Sequence, residues 1–228
     1  MKKLLTLSAL AFSFSVFAQY TPWEIKKFKI SKLTKLTATK GEETVQKTAI
    51  WYDEHGNDTA EYNGGELYRR TKYEYNSKGQ VVSRTRFSAE GNETETAIYT
   101  YKPDDSYTIS NTDKNFGMTD LTYCDKAGKT TKTVSPDKSE KVYTYDAKGR
   151  LLKVKSKAGD NGGVVIDQQY TYNANGQLIK VVSKGDYKWS QIYSYGPKGL
   201  LKKSKINSVT DGVADPEVNY VYEYEFRK

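Results

Sequence analysis

A pair of tyrosines one residue apart, followed at once by a four-residue turn, recurs so regularly that it dictates what this chain folds into. The clearest copy is Tyr143-Thr-Tyr145-Asp146-Ala-Lys-Gly149, which continues into Leu151 and a basic run to Lys155. Side chains alternate across a strand, so Tyr143 and Tyr145 share one face. Asp146 supplies a carboxylate that turns back onto the backbone, and Gly149 takes a positive φ at little cost, which together specify a type I turn. The unit is a β-hairpin.

The residue just before each turn marks the repeat. These are Tyr52, Tyr75, Tyr101, Cys124, Tyr145, Tyr172 and Tyr195, at intervals of 23, 26, 23, 21, 27 and 23 residues. Such a period holds two strands and two turns, with the scatter in the second loop. Gly56, Gly79, Gly128, Gly149, Gly176 and Gly199 end six of the turns, and Asp105 ends the remaining one. Pro103 and Pro197 fall at the second turn position, where a fixed φ is wanted. The linking loops, such as 112–117 and 158–163, are polar and unequal, and most are short enough to join antiparallel neighbours. The last strand, 218–226, sets Tyr220, Tyr222, Tyr224 and Phe226 on one face and has no turn of its own. Ahead of the first repeat, 24–32 has a short amphipathic helical pattern, whereas the Thr-rich sequence from Thr34 onward favours strand. The expectation is an all-β antiparallel meander of repeated hairpins, roughly fourteen to sixteen strands, forming one extended twisted or curled sheet. Residues 19–48 form a lead-in and first strand, and 49–228 the array.

Residues 1–18 read as an export signal. A basic start, Lys2-Lys3, precedes an apolar run, and Val16-Phe17-Ala18 offers the small residues of a cleavage site after Ala18. The expected location is the periplasm, the cell surface or the outside of the cell, with no membrane span left after cleavage. The formal charge of +8 falls to +6 once Lys2 and Lys3 leave. Lysines interleave with apolar and hydroxyl residues, as at Lys153, Lys155 and Lys157, which suits a solvated sheet face that resists edge pairing. Nucleic acid is therefore not an expected partner. The single cysteine, Cys124, stands where other repeats place their second tyrosine and reads as a small buried residue.

These residues carry a family resemblance. Tyr143-Thr-Tyr-Asp-Ala-Lys-Gly-Arg-Leu151 and Tyr170-Thr-Tyr-Asn-Ala-Asn-Gly-Gln-Leu178 resemble the YD repeats of RHS-type proteins, and the better copies span about 73–201. In that family, long arrays form strips of β-sheet that curl into hollow shells, which enclose or deliver a C-terminal toxin or mediate contact at cell surfaces. With about seven repeats and no segment beyond the final strand, the resemblance implies a small exported β-repeat protein.

Reaction chemistry is sparse. His55 is the only histidine and occupies the middle of a turn, where any polar residue serves. Carboxylate pairs at Glu42-Glu43, Asp53-Glu54 and Asp104-Asp105 sit in turns or loops. Asp160, Asn161 and Asp167 match no calcium-loop spacing. No enzyme activity, cofactor or metal is expected. The aromatic residues are the functional lead. Tyr143, Tyr145, Tyr170, Tyr172, Tyr193 and Tyr195, with Asp146, Gly149, Gly176 and Gly199, define the repeat and are expected to build the sheet, the tyrosines lying in rows across it where the repeats stay in register. Departures from the repeat are the candidate binding surface: Trp51, Trp189 and Tyr187. The leading expectation is a non-enzymatic structural or interaction module with an unidentified protein or glycan partner. The alternatives are a glycan-binding protein using Tyr/Trp platforms, and an outer-membrane β protein.

Overall fold

The computed structural model describes residues 22–157, 159, 165–210 and 213–227. The expected signal segment and most of the 158–163 loop, with Asp160 and Asn161, lie outside the described residues. A short helix, α1 (Pro22–Lys27), leads into β1 (Ile30–Thr39) and β2 (Val45–Tyr52). Lys29 has φ 54, and this left-handed residue ends the helix before the β-branched run begins. Hairpin strands follow in sequence: β3 (Asp58–Asn63), β4 (Glu66–Tyr75), β5 (Val81–Ser88), β6 (Glu93–Tyr101), β7 (Tyr107–Asp113) and β8 (Met118–Cys124). The series continues through β9 (Thr130–Val134), β10 (Glu140–Tyr145), β11 (Leu151–Lys157), β12 (Asp167–Tyr172), β13 (Leu178–Lys184) and β14 (Lys188–Tyr195). It ends with β15 (Leu201–Thr210), the two-residue β16 (Val213–Ala214) and β17 (Val218–Phe226).

Each long strand pairs antiparallel with its sequence neighbours, and the meander then closes on itself. Strand β17 is paired on one side with β15 and on the other with β1, so Val221 lies opposite both Lys203 and Leu36. The expectation of one open, twisted or curled sheet is corrected here: sixteen strands form a closed barrel, and β16 is only an extension beside β15. Closure gives the first and last strands the backbone partners that an open meander would leave exposed. The repeat turns stand at one rim, together with α1 and the end of β17. The described linking loops, such as 112–117, stand at the other.

A second departure from expectation explains the closure. In place of continuous tyrosine rows, pairing slips by two residues per repeat. Tyr143 lies opposite Val154, which lies opposite Gln168, two residues short of Tyr170. Tyr170 leads in the same way through Val181 to Gln191, and Tyr73 through Arg84 to Ala97. A constant stagger of this kind tilts strands against the barrel axis, and tilt is what lets a sheet close.

Each turn is built as its residues require. Asp146 Oδ1 accepts the backbone N–H groups of Lys148 and Arg150 at 2.9 and 2.8 Å, and Gly149 N–H donates to the Asp146 carbonyl at 2.9 Å with φ 78. Those backbone hydrogen bonds hold the Asp146 carboxyl below its ordinary range. Behind the turn a bulge shifts the register between Thr144 and Tyr145. The second tyrosine of the next repeat then reaches back to the strand start: Tyr172 Oη donates to the Leu151 carbonyl at 2.9 Å, Tyr195 to Leu178 at 2.8 Å and Tyr101 to Val81 at 3.0 Å. Leaving that carbonyl without its donor costs more than an ordinary hydrogen bond contributes. Tyr172→Phe should therefore lower stability by about 1–2 kcal/mol in denaturant unfolding.

Helix α1 packs against the turn rim. Ile25 is 1% exposed and clusters with Ile30 and Leu200, joined by Phe28, Tyr52 and Tyr224. A Cβ on Gly56 would lie 2.0 Å from the Pro22 carbonyl oxygen, whereas a Cβ on Gly176 meets nothing within 4 Å. Both residues have positive φ. Gly176→Ala should cost about 1 kcal/mol from φ alone, and Gly56→Ala about 3 kcal/mol or more because α1 must also move. Equal melting temperatures for the two variants would remove α1 from the stability of the rim.

Candidate functional site

Alternation divides the barrel wall into two unlike faces. The inner face carries the paired tyrosines and their aliphatic neighbours: Leu33, Leu201 and Tyr222 form a buried cluster with Tyr193, Tyr195 and Tyr220 against it. The outer face carries the residues between them, such as Thr144, Lys153, Lys155, Lys203 and Glu223.

Two polar networks line the inner face. On β3 to β7, Arg84 and Arg86 both pair with Glu95, Arg86 at 3.0 Å, and Arg84 also donates to Asn111 Oδ1 at 3.1 Å. Arg69 pairs with Glu61 at 2.8 Å, and Tyr73 Oη donates to Asp58 Oδ1 at 2.6 Å. Burial, followed by the Asp58 charge and hydrogen bond, raises the Tyr73 hydroxyl far above its usual range. Burial and the repulsion of Arg84 and Arg69 pull Arg86 down. Arg69, Arg84 and Arg86 face Glu61, Asp58 and Glu95, so the charges balance within the wall and the network fastens neighbouring strands. On β12 to β17 the second network is uncharged. Tyr170 donates to Gln168 Oε1 at 2.9 Å, Tyr193 to Gln191 Oε1 at 2.8 Å, Gln191 Nε2 donates to Ser204 Oγ at 2.9 Å, and Ser204 meets Tyr222 Oη at 3.0 Å. Neither network was anticipated from the sequence. The available signal was phase: Arg84, Gln168 and Gln191 all fall on the tyrosine face, where burial obliges a polar group to find a partner.

The three candidate binding residues do not come together. Trp51 is on the outer face near the turn rim, 41% exposed, with Lys32 Nζ 5.0 Å from its ring centroid and Glu225 2.7 Å from that lysine. Trp189 lies on the inner face in phase with Gln191 and Tyr193, opposite Ser183, and is half-buried. Tyr187 is in the β13–β14 loop at the far rim, 52% exposed. The repeat-defining residues Tyr143, Tyr145, Tyr170, Tyr172, Tyr193 and Tyr195 all face inward, and Asp146, Gly149, Gly176 and Gly199 form turns at one rim. Cys124 is buried and lies opposite Tyr107. The Tyr107 ring packs 5.0 Å from that of Tyr101. Asp167, considered for calcium, faces outward and pairs with Lys153 at 3.3 Å.

The outer face is unevenly charged. On β4 acids and bases mix, and Lys72 pairs with Glu74 at 3.2 Å. From β11 to β15 the outward positions hold Lys153, Lys155, Lys157, Lys180, Lys184, Lys188, Lys203 and Lys205, with Asp167 the one acid among the outward strand residues described there.

A closed wall of staggered hairpins with inward tyrosine pairs and Asx turns at one rim can be set beside known proteins. The Teneurin YD-shell family model matches residues 25–211. No protein with a curated function matches. Among solved structures the chain is similar to a porin-like protein from Bacteroides uniformis, at 12% identity and a TM-score of 0.45, covering 86% of this chain and 98% of that one. It is also similar to the TcdB2-TccC3-TEV structure, at 13% identity and a TM-score of 0.26, covering 80% of this chain and 15% of that one. With the family model running from α1 through β15, the chain belongs to the Teneurin YD-shell family.

Proposed function

We propose that this protein is an exported, non-enzymatic β-shell module that works at the cell envelope or outside the cell by presenting its outer wall to a partner. The observation that carries this reading is the division of labour between the two faces. On the inner face the tyrosines reach strand carbonyls and glutamines, and the arginines pair with Glu61 and Glu95, so these side chains mainly hold the wall. The outer wall exposes charged side chains such as Lys155, Lys180 and Lys203 to solvent. Family membership supports the reading at the level of a β-structured shell, and the apolar run at residues 4–17 supports export.

The same division weighs against the outer-membrane alternative. A lipid-facing barrel wall needs an apolar outer band, and a lysine at mid-membrane depth costs about 2–4 kcal/mol. Here Lys155, Lys180 and Lys203 stand in mid-strand on the outer face, where lipid would lie. Cell fractionation with a C-terminal tag tests the proposal. The expected result is a cleaved chain beginning at Gln19 in the periplasmic, surface or medium fraction, released from membranes by alkaline washing. An uncleaved chain in the cytoplasm would overturn it.

A further inference from the structure

We infer that the outer wall of β11 to β15 is a docking surface for an acidic polysaccharide bearing carboxylate or sulfate groups. The inference rests on the exported-module reading and names the partner class. Lysines stand two residues apart on β11 and β15 and four apart on β13, where Val182 separates Lys180 from Lys184, so ammonium groups recur about 7 Å or about 13 Å apart along a strand and about 10 Å apart across alternate strands. The intervening strands carry few charges outward: Gln169 and Thr171 on β12, Ser190 and Ile192 on β14. Two lysines are already committed, Lys153 to Asp167 and Lys205 to Glu217. Lys155, Lys180, Lys184, Lys188 and Lys203 have no ion-pair partner among the described residues, and all five are exposed.

Charge complementarity selects a polyanion, and shape selects among polyanions. Five adjacent strands of sixteen make up nearly a third of the circumference. A flat membrane touches a convex wall only along a narrow strip, and a stiff duplex does the same. A flexible single chain with a charge on every ring or every second ring can follow the curve and meet successive lysine rows. Lysine rather than arginine fits this use, because separated point charges suit spaced single carboxylates, whereas the guanidinium fork suits bidentate contacts. The exposed Ile192, between Lys180 and Lys205 in register, offers an apolar spot for a sugar face.

The test uses the mature chain and polygalacturonate as probe, with dextran, duplex DNA and anionic phosphatidylglycerol vesicles alongside. The expected result is retention by polygalacturonate but not dextran, weakening steeply as salt rises, with weaker binding to DNA and vesicles. The triple variant Lys155→Glu, Lys180→Glu, Lys203→Glu should bind about tenfold or more weakly. A control with the same charge change elsewhere, Lys47→Glu, Lys72→Glu, Lys78→Glu, should stay within about twofold. Both triples replace exposed side chains and should melt like the parent. The inference is overturned if the parent does not bind polygalacturonate, if the two triples lose binding equally, or if vesicles or DNA bind more tightly than the polyuronate. Fractionation reports separately on export, so a cytoplasmic protein that binds the probe would sink the module reading and leave the charge complementarity standing.

Discussion

Removing β17, by ending the chain before Val218, is expected to abolish the monomeric fold. That strand supplies both seam pairings, with β15 and with β1. It also contributes Tyr220, Tyr222 and Tyr224 to the inner wall, where Tyr222 is 5% exposed against Leu33 and Leu201. Burial of three such side chains is worth about 5–8 kcal/mol, which is comparable to the whole stability of an ordinary domain. The remaining chain would carry two long unpaired edges, β15 and β1, and such edges seek other strands. Size-exclusion chromatography with light scattering should show soluble aggregate or loss of the protein. The milder Val221→Pro, at a position paired on both sides, should lower the melting temperature sharply by removing a ladder donor. A folded, monomeric truncation with parental circular dichroism would mean that the barrel closes without its last strand, and the seam described above would be wrong.

Alkaline titration is expected to unfold the barrel through its tyrosines. Burial is the first cause that raises Tyr73, Tyr99, Tyr101, Tyr107, Tyr145, Tyr170, Tyr172 and Tyr220 above the ordinary phenol range, and Tyr145 is pushed up to about 12. In the unfolded chain these hydroxyls ionise near pH 10. A raised folded value means that the native state holds the proton longer. The associated stability is fully present below about pH 10 and is lost as pH rises through the folded values. For Tyr145 that window runs from about 10 to about 12. Because these tyrosines share one wall, tyrosinate absorbance and far-ultraviolet circular dichroism should change together rather than in sequence. Tyrosines that titrate near pH 10 with the circular dichroism intact would show the inner face to be open to water.

The two outcomes bear on different levels of organisation, and only one level is visible in the chain itself. Tyr145, Asp146 and Gly149 announce a hairpin because each choice serves the local backbone: a face, an Asx acceptor and a positive φ. Seven such turns at near-constant spacing then oblige neighbouring strands to pair. The antiparallel meander was therefore legible, and so was the burial of Cys124 in the place of a second tyrosine. The site was less legible. Trp51 and Trp189 look alike as departures from the repeat, yet alternation places one outside and one inside, and the bulges between turn and strand shift that phase. The lysines of β11 to β15 read as a solubility device in the linear sequence, and only their collection on five adjacent outer strands makes them a surface.

Local chemistry therefore determined the hairpins, their order and the burial of the tyrosines, because those depend on interactions within some two dozen residues of sequence. Closure, inside and outside, and the gathering of charge were decided by tertiary structure. They depend on a two-residue stagger accumulated around sixteen strands until β17 meets β1, and on bulges whose geometry no single repeat contains.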